Sequence, residues 1–149
     1  MAELVNHPAH YAAGRKLEPI AVIEAWGLDR SFCAGNALKY LSRAGRKEDI
    51  LTDVRKTGWY LSREITLLAG QTPARRPLMR HNAPSMAEVL ADWNPAPCCI
   101  EPIRQIGLYA ATGETHHLLE ALRACQQAEA TLAAERRRTQ QEQHFQGRA

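Results

Sequence analysis

The sequence is poor in cysteine and in aromatic residues, and it contains no long apolar run. Its four cysteines include the adjacent pair Cys98 and Cys99, which lacks the CxxC spacing of a structural zinc site. Because disulfides are rare in the cytoplasm, where this chain is expected to reside, free thiols are expected. Because about 20 consecutive apolar residues are needed to cross a membrane, no membrane-spanning helix is expected. The residues after Met1 lack the apolar stretch of a signal peptide, so none is expected. These absences predict a cytoplasmic protein without a membrane partner.

Several common catalytic motifs are also missing. There is no GxxxxGK[ST] loop, GxGxxG, GxSxG or HExxH, which excludes a standard P-loop and three other familiar sites. The paired ExxE and ExxD helices expected of an all-α nucleotide pyrophosphohydrolase are absent as well. The net charge is only +3, and residues 136–138 form the one run of three arginines. Composition alone therefore does not indicate nucleic-acid binding.

Proline and arginine mark a boundary within the chain. Residues 71–84 contain three prolines and three arginines without helical periodicity, which is typical of a linker between segments 1–70 and 85–149. No segment alternates strongly at period two, and the strand-like stretches are short, for example around Cys99 and Ile100. The predicted fold is mostly α, with a small domain of about three helices and a C-terminal helical extension or hairpin of unknown role.

In the first segment, helical periodicity and capping residues predict helices over 18–26, 32–44 and 47 or 49–68. Ser31 is the expected N-cap of the second helix. Ile20 belongs to the apolar stripe of the first helix, and Phe32 is an expected buried residue of the second. Gly58 lies in the middle of the third helix, where glycine costs about 1 kcal/mol relative to alanine. That cost suggests a close helix crossing at this point.

In the second segment, helices are predicted over 85–92, 101–111 and from residue 116 onward. Ser85 and Glu88 have capping-box spacing, and Thr115 is the expected cap of the last helix. A narrow apolar seam follows, with near-heptad spacing, at Leu118, Leu122, Cys125 and Leu132. Such a seam is typical of a helical hairpin or of a contact between copies in a homo-oligomer. We favour the hairpin, because the seam spans only about two to three heptads.

The densest group of chemically capable residues is GNALKYLSRAGRK, residues 35–47. On a helix, Asn36, Lys39, Tyr40 and Arg43 fall at i, i+3, i+4 and i+7 and so share one face. Lys39 and Arg43, with Lys47 beyond the helix end, could hold phosphates, since arginine offers a planar fork of donors and lysine a compact charge. Tyr40 and Asn36 could contact a base or sugar. The alternative is a solvated basic helix face.

The third helix carries Asp53, Lys56 and Tyr60 at i, i+3 and i+7. Asp53 and Lys56 are interpreted either as a surface ion pair or as a functional pair. In the functional interpretation, Asp53 is a Mg²⁺ ligand or base and Lys56 contacts phosphate.

A further set of candidates lies in the loop HPAHY, which contains His7, His10 and Tyr11. A phosphate contact or a general-acid role is one interpretation of these histidines. A structural loop held by Tyr11 is the other. Two histidines are too few for a zinc site.

These motifs occur in one order and spacing: NHPAHY at 6–11, a helix from Glu18 to Trp26, GNALKYLSRAGRK at 35–47, and DVRKTGWYLSREI at 53–65. In this respect the chain resembles the SaV-like family of small bacteriophage and prophage proteins, a domain of unknown function. A podovirus member of that family is described as a nucleotide kinase without a P-loop. The resemblance covers about 60 residues and implies a phage-encoded protein of nucleotide metabolism, active in the host cytoplasm. Residues 71–149 have no counterpart in it.

The leading hypothesis is therefore nucleotide binding with phosphoryl transfer to (deoxy)nucleoside monophosphates, using a nucleoside triphosphate donor and Mg²⁺. The predicted catalytic residues are Asp53, Lys39 and Arg43. The predicted nucleotide contacts are His7, His10, Tyr11, Asn36, Lys39, Tyr40, Arg43, Lys47, Lys56 and Tyr60. One rival is a non-catalytic binder that sequesters a nucleotide or signal, or modulates a host protein. Another, ranked last, is a DNA-binding accessory protein, and a homo-oligomer is compatible with each hypothesis.

Overall fold

The computed structural model describes residues 8–12, 14–71 and 76–148. This part of the chain contains no strand, so the predicted mostly α fold is confirmed. Its helices are α1 (Ala9–Ala12), α2 (Pro19–Ala25), α3 (Phe32–Arg43), α4 (Ile50–Leu68), α5 (Met86–Trp93), α6 (Pro97–Thr112) and α7 (His116–Gln146), with a 3₁₀ turn at Leu28–Arg30. None of the described helices is both long and apolar enough to cross a membrane. All four cysteines are free thiols, as predicted.

Side-chain caps determine where the central helices begin. Ser31 Oγ accepts a hydrogen bond from Ala34 N at 3.0 Å and donates one to Glu64 Oε2 at 2.6 Å, so the α3 cap is tied to α4. Ser85 and Glu88 form the predicted reciprocal capping box at the start of α5. Both predicted caps are confirmed.

One hydrophobic core joins the two halves of the sequence. Trp26, Leu38 and Leu61 pack in the same cluster as Trp93 and Ile106. Helices α6 and α7 form the predicted hairpin, while α7 also packs on α4 and α6 on α3. The α3–α4 pair is therefore supported from behind by the C-terminal hairpin.

Residues 76–84, which we call the strap, cross the molecule between α4 and α5. The amides of Leu78 and Met79 both donate to the Ala110 carbonyl, at 2.7 and 3.0 Å. Arg80 forms two hydrogen bonds of 3.1 Å with the Asp29 carboxylate. Gly113 has φ +73°, and a Cβ there would overlap the Arg76 backbone. Glycine therefore serves both the turn and the close passage of the strap.

Some predictions of burial and packing were wrong. Ile20 and Phe32 are exposed, at 56% and 75%. In each helix, a different set of side chains packs into the core. A Cβ on Gly58 would meet only Leu122 Cδ1 at 3.9 Å, which is an ordinary contact and not a close crossing.

The second segment differs from the predictions in three further details. Helix α6 begins at Pro97 instead of Glu101, and Pro102 lies inside it, buried in the core. Proline is well suited to the first helical position. Because the helix begins at Pro97, the stretch at Cys99 that resembled a strand is helical. Thr115 is the N-cap residue of α7, as predicted, but its backbone lies in the αR region and its side chain makes no capping hydrogen bond.

Candidate functional site

Most of the predicted site residues meet where α3 and α4 pack together and the short α1 turn lies against α3. Helix α3 contributes Lys39, Tyr40 and Arg43, and α4 contributes Asp53, Lys56 and Tyr60. We call the surface formed by His10, Lys39, Tyr40, Lys47 and Lys56 the basic face.

The half-buried ring of Tyr40 is at the centre of this surface. Three cations lie over it: Arg43 Cζ at 4.6 Å, Lys56 Nζ at 5.3 Å and Lys39 Nζ at 5.4 Å from the ring centroid. Each such contact contributes about 0.5–1 kcal/mol at an exposed site. The tyrosine thus holds positive charges together that would otherwise repel one another.

Arg43 and Asp53 form a buried ion pair beneath Tyr40. Arg43 Nε and Nη2 both lie 3.3 Å from Asp53 Oδ1, and the side chains are 5% and 0% exposed. Asp53 Oδ2 is buried without a hydrogen-bond partner among the described residues. Burial raises the pKa of Asp53 despite the opposing charge of Arg43. Arg43 was predicted to clamp phosphate directly; here it supports Tyr40 and neutralises Asp53.

This geometry does not suit Asp53 as a resident magnesium ligand. Mg²⁺ retains several waters and prefers accessible oxygen ligands. The Asp53 side chain is closed to solvent, and its Oδ1 is already occupied by a cation. We therefore place no metal ion on Asp53.

The remaining lysines of the basic face differ in their pairing. Lys56 Nζ lies 2.9 Å from Oε2 of Glu48, a residue of the loop before α4. This hydrogen bond lowers the pKa of Glu48. Within residues 8–12, 14–71 and 76–148, no acid lies within salt-bridge distance of Lys39 or Lys47. Lys39 and the exposed Lys47 are therefore the cations best placed for an anionic ligand.

The α1 turn covers one side of the basic face. The rings of His10 and Tyr11 lie 4.2 Å apart. Burial lowers the pKa of His10, and the charges of Lys47, Arg43 and Lys39 lower it further. His10 therefore lies in the positive field of the basic face. His7, another predicted contact, lies outside the described residues.

Residues of this turn line two concavities. One has a volume of about 250 Å³ and is mostly apolar, with Tyr11, Ile23 and Lys39 among its lining residues. The other is an open groove lined by Ala9, His10, Arg46 and Lys47. An apolar cavity beside a basic groove is suited to a ligand with one flat apolar part and one anionic part.

Exposed aromatic rings extend the basic face along α3 and α4. Tyr60 stacks on Tyr40 at 5.6 Å with an interplanar angle of 15°, and it meets Phe32 and Trp59 edge-on at 5.8 and 5.0 Å. Sequence reasoning had assigned Phe32 to the core. Its i, i+4 spacing to Asn36 and then Tyr40 could have placed it here.

Asn36, the remaining predicted contact, uses its side chain locally. Its Nδ2 donates to the Phe32 carbonyl at 2.7 Å, within the same helix. This bond holds the amide against α3 between Phe32 and Tyr40.

The elements of the basic face lie within a segment that is similar to known sequences. Residues 5–62 match a family described as protein of unknown function (DUF3310). This segment includes His10, Lys39 and Tyr60. The N-terminal part of the chain is thus similar to a family of unknown function.

A particular relative makes the phage connection concrete. The chain is 40% identical over 65 residues to the Gene 1.7 protein of Enterobacteria phage T3. The similarity covers 38% of this chain and 38% of that protein. No solved structure matches the fold. These similarities support the predicted resemblance to phage proteins, whereas the nucleotide kinase assignment stays a prediction.

Proposed function

We propose that the basic face binds the phosphates of a nucleotide and that the protein transfers a phosphoryl group to nucleoside monophosphates. The observation that carries the proposal is the pair of lysines, Lys39 and Lys47, whose charges both act on His10 and which have no acid partner among the described residues. Such lysines suit phosphate oxygens, which accept charge-assisted hydrogen bonds.

Aromatic rings beside these cations provide for the nucleoside. The rings of Phe32, Tyr40 and Tyr60 form a connected series next to the lysines. Every nucleobase has an apolar face that can stack on such rings, with about 1–3 kcal/mol per stacked base. In this arrangement Arg43 is a positioning residue, because it holds Tyr40 from below.

The transfer requires little from the protein beyond positioning. A bond from the γ-phosphorus of the donor triphosphate to its β-bridging oxygen breaks, and a bond to a phosphate oxygen of the acceptor monophosphate forms. The products are a nucleoside diphosphate from each reactant. The acceptor oxygen is already ionised near neutral pH, since the second phosphate pKa is about 6. The burial of Asp53 therefore does not deprive the reaction of a necessary base. Mg²⁺ would arrive with the triphosphate and neutralise its β- and γ-oxygens.

The test is incubation of the purified chain with ATP, Mg²⁺ and a panel of ribo- and deoxynucleoside monophosphates, followed by separation of the products. We expect diphosphate products, and about a 10- to 100-fold loss of kcat/KM in Lys39→Ala and Lys47→Ala. Lys16→Ala removes the same charge from an exposed position outside the basic face and serves as the control. Normal turnover by both lysine variants would show that the assigned site is wrong.

A non-catalytic nucleotide binder is the second candidate. It is favoured by the burial of Asp53, because Asp53 is the acidic residue in the first turn of α4 and its carboxylate is not accessible to a ligand. Calorimetric titration with the same nucleotides would then give binding that depends on Lys39 and Lys47, without any product in the turnover assay. Absence of both binding and turnover would exclude both candidates.

A further inference from the structure

A second group of ligand-forming side chains lies at the turn between α6 and α7, outside the basic face and outside residues 5–62. Glu114, His116 and His117 each offer one ligand atom, and these atoms all lie within 4.8 Å of one another. His116 Nδ1 and His117 Nε2 both lie 3.8 Å from Glu114 Oε2. In the part of the chain that the structure describes, no other group of three histidine, cysteine or acidic side chains converges in this way.

A chain of hydrogen bonds determines the tautomer of His117. Gln105 Nε2 donates to Glu101 Oε1 at 2.8 Å, and this carboxylate can only accept. The Gln105 oxygen must then face His117 Nδ1, which lies 2.9 Å away and therefore carries the proton. His117 Nε2 is then unprotonated, and its lone pair is free to bind a metal ion on the side where Glu114 Oε2 lies. Histidine ligands of metals are commonly oriented by such a bond from their other ring nitrogen.

Two of the three ligand-atom separations are close to those around a bound ion. Ligand atoms about 2.0–2.1 Å from a tetrahedral zinc ion lie about 3.3 Å apart. The two separations of 3.8 Å from Glu114 Oε2 must therefore shrink by about half an ångström when an ion binds. The His116 and Glu114 side chains are 60% and 40% exposed, so small rotations are open to them. The Glu114 carboxylate also offsets the positive end of the α7 dipole.

We propose that Glu114, His116 and His117 bind a divalent transition-metal ion of the zinc class. Two imidazoles and one carboxylate suit zinc, copper or nickel better than magnesium or calcium. Three protein ligands leave a position for water. The ion connects the turn to the first residues of α7 and so stabilises the α6–α7 hairpin. This site is independent of the nucleotide proposal, since it shares no residue with the basic face.

The experiment is calorimetric titration of the tag-free, chelator-treated full chain with Zn²⁺, with Mg²⁺ as the comparison ion. We expect one Zn²⁺ per chain, and affinity at least about tenfold weaker in His116→Ala, His117→Ala and Glu114→Gln. His144→Ala removes an exposed histidine near the far end of the same helix and should leave binding unchanged. At about 100 times the Kd, Zn²⁺ should raise the Tm of the wild-type chain by about 5 °C.

Circular dichroism of each variant shows whether it is folded, and His116→Ala is the decisive variant because that side chain is mostly exposed. Cys98→Ser tests the competing thiol ligand, since Cys98 is the only half-exposed thiol among the four. Loss of binding in Cys98→Ser with retention in His116→Ala would overturn the proposal. So would the absence of Zn²⁺ binding by the wild-type chain, or equal binding of Mg²⁺.

Discussion

The α3–α4 pair and the α6–α7 hairpin are both packed helix pairs, but they bury different chemistry. In the described part of the chain, every buried polar or charged side chain lies on α3 or α4: Ser42, Arg43, Asp53, Thr57 and Glu64. The hairpin instead buries apolar side chains and uses glycine to let the strap pass. Apolar packing is therefore sufficient for a helix pair in this protein.

That difference agrees with the proposed placement of the site on the α3–α4 pair. A buried ion pair seldom stabilises a fold more than apolar residues of the same shape would, because desolvation offsets the attraction. The Arg43–Asp53 pair is placed directly under Tyr40 and the basic face. We infer that the buried charge of the α3–α4 pair positions this surface.

The largest effect is expected on removing one member of the buried ion pair. Asp53→Ala would leave Arg43 buried without its partner and should lower the free energy of unfolding by about 3–5 kcal/mol. Glu129→Ala is the matched control, since Glu129 pairs with Arg55 at 3.1 Å on the surface. That change should cost less than about 1 kcal/mol. Urea denaturation of both variants measures the contrast, and equal losses would refute the special role of the buried pair.

The hairpin should break most readily where the strap crosses it. Gly113→Ala introduces a Cβ against the Arg76 backbone at a positive φ, and we expect a loss of about 3 kcal/mol. Gly70→Ala has a similar φ of +83°, but no atom of the described residues lies within 4 Å of the new Cβ. It should cost only about 1–2 kcal/mol. Thermal unfolding of the two variants separates the clash from the backbone strain; similar Tm values would mean that the strap yields.

Helix α4 offers a change of opposite sign. Gly58→Ala places a methyl group in ordinary contact with Leu122 and restores helix propensity, so stability should rise by about 0.5–1 kcal/mol. The urea midpoint should therefore increase. A decrease in the midpoint would instead support the close helix crossing predicted from the sequence.

The smallest effect is electrostatic. Burial and then the charge of Lys47 lower the pKa of His10. Lys47→Ala should therefore raise that pKa towards the ordinary histidine value, which NMR titration of the imidazole signals can follow. Lys16→Ala is the control and should leave it unchanged.

The sign of the accompanying pH effect is fixed by the lowered pKa. Between the folded and the ordinary pKa of histidine, the unfolded chain binds more protons at His10 than the folded chain does. The stability contributed by neutral His10 is therefore present above that range and decreases as the pH falls through it. Lys47→Ala should reduce this loss.

Local sequence determined the helices and most of their ends. Ser31, Ser85 and Gly113 act through hydrogen bonds or dihedral angles within a few residues, so they could be read without the fold. The shared face of Lys39, Tyr40 and Arg43 followed from helical spacing for the same reason.

Tertiary structure alone decided which of these residues are accessible. Asp53 was interpreted from its neighbour Lys56, but its partner is Arg43 on another helix, and Lys56 pairs with Glu48. Phe32 was assigned to the core, yet it is exposed beside Tyr60. The Gln105 bond that orients His117 likewise joins two helices. Burial and pairing depend on which helix faces pack together, and no periodicity within a single helix specifies its partner.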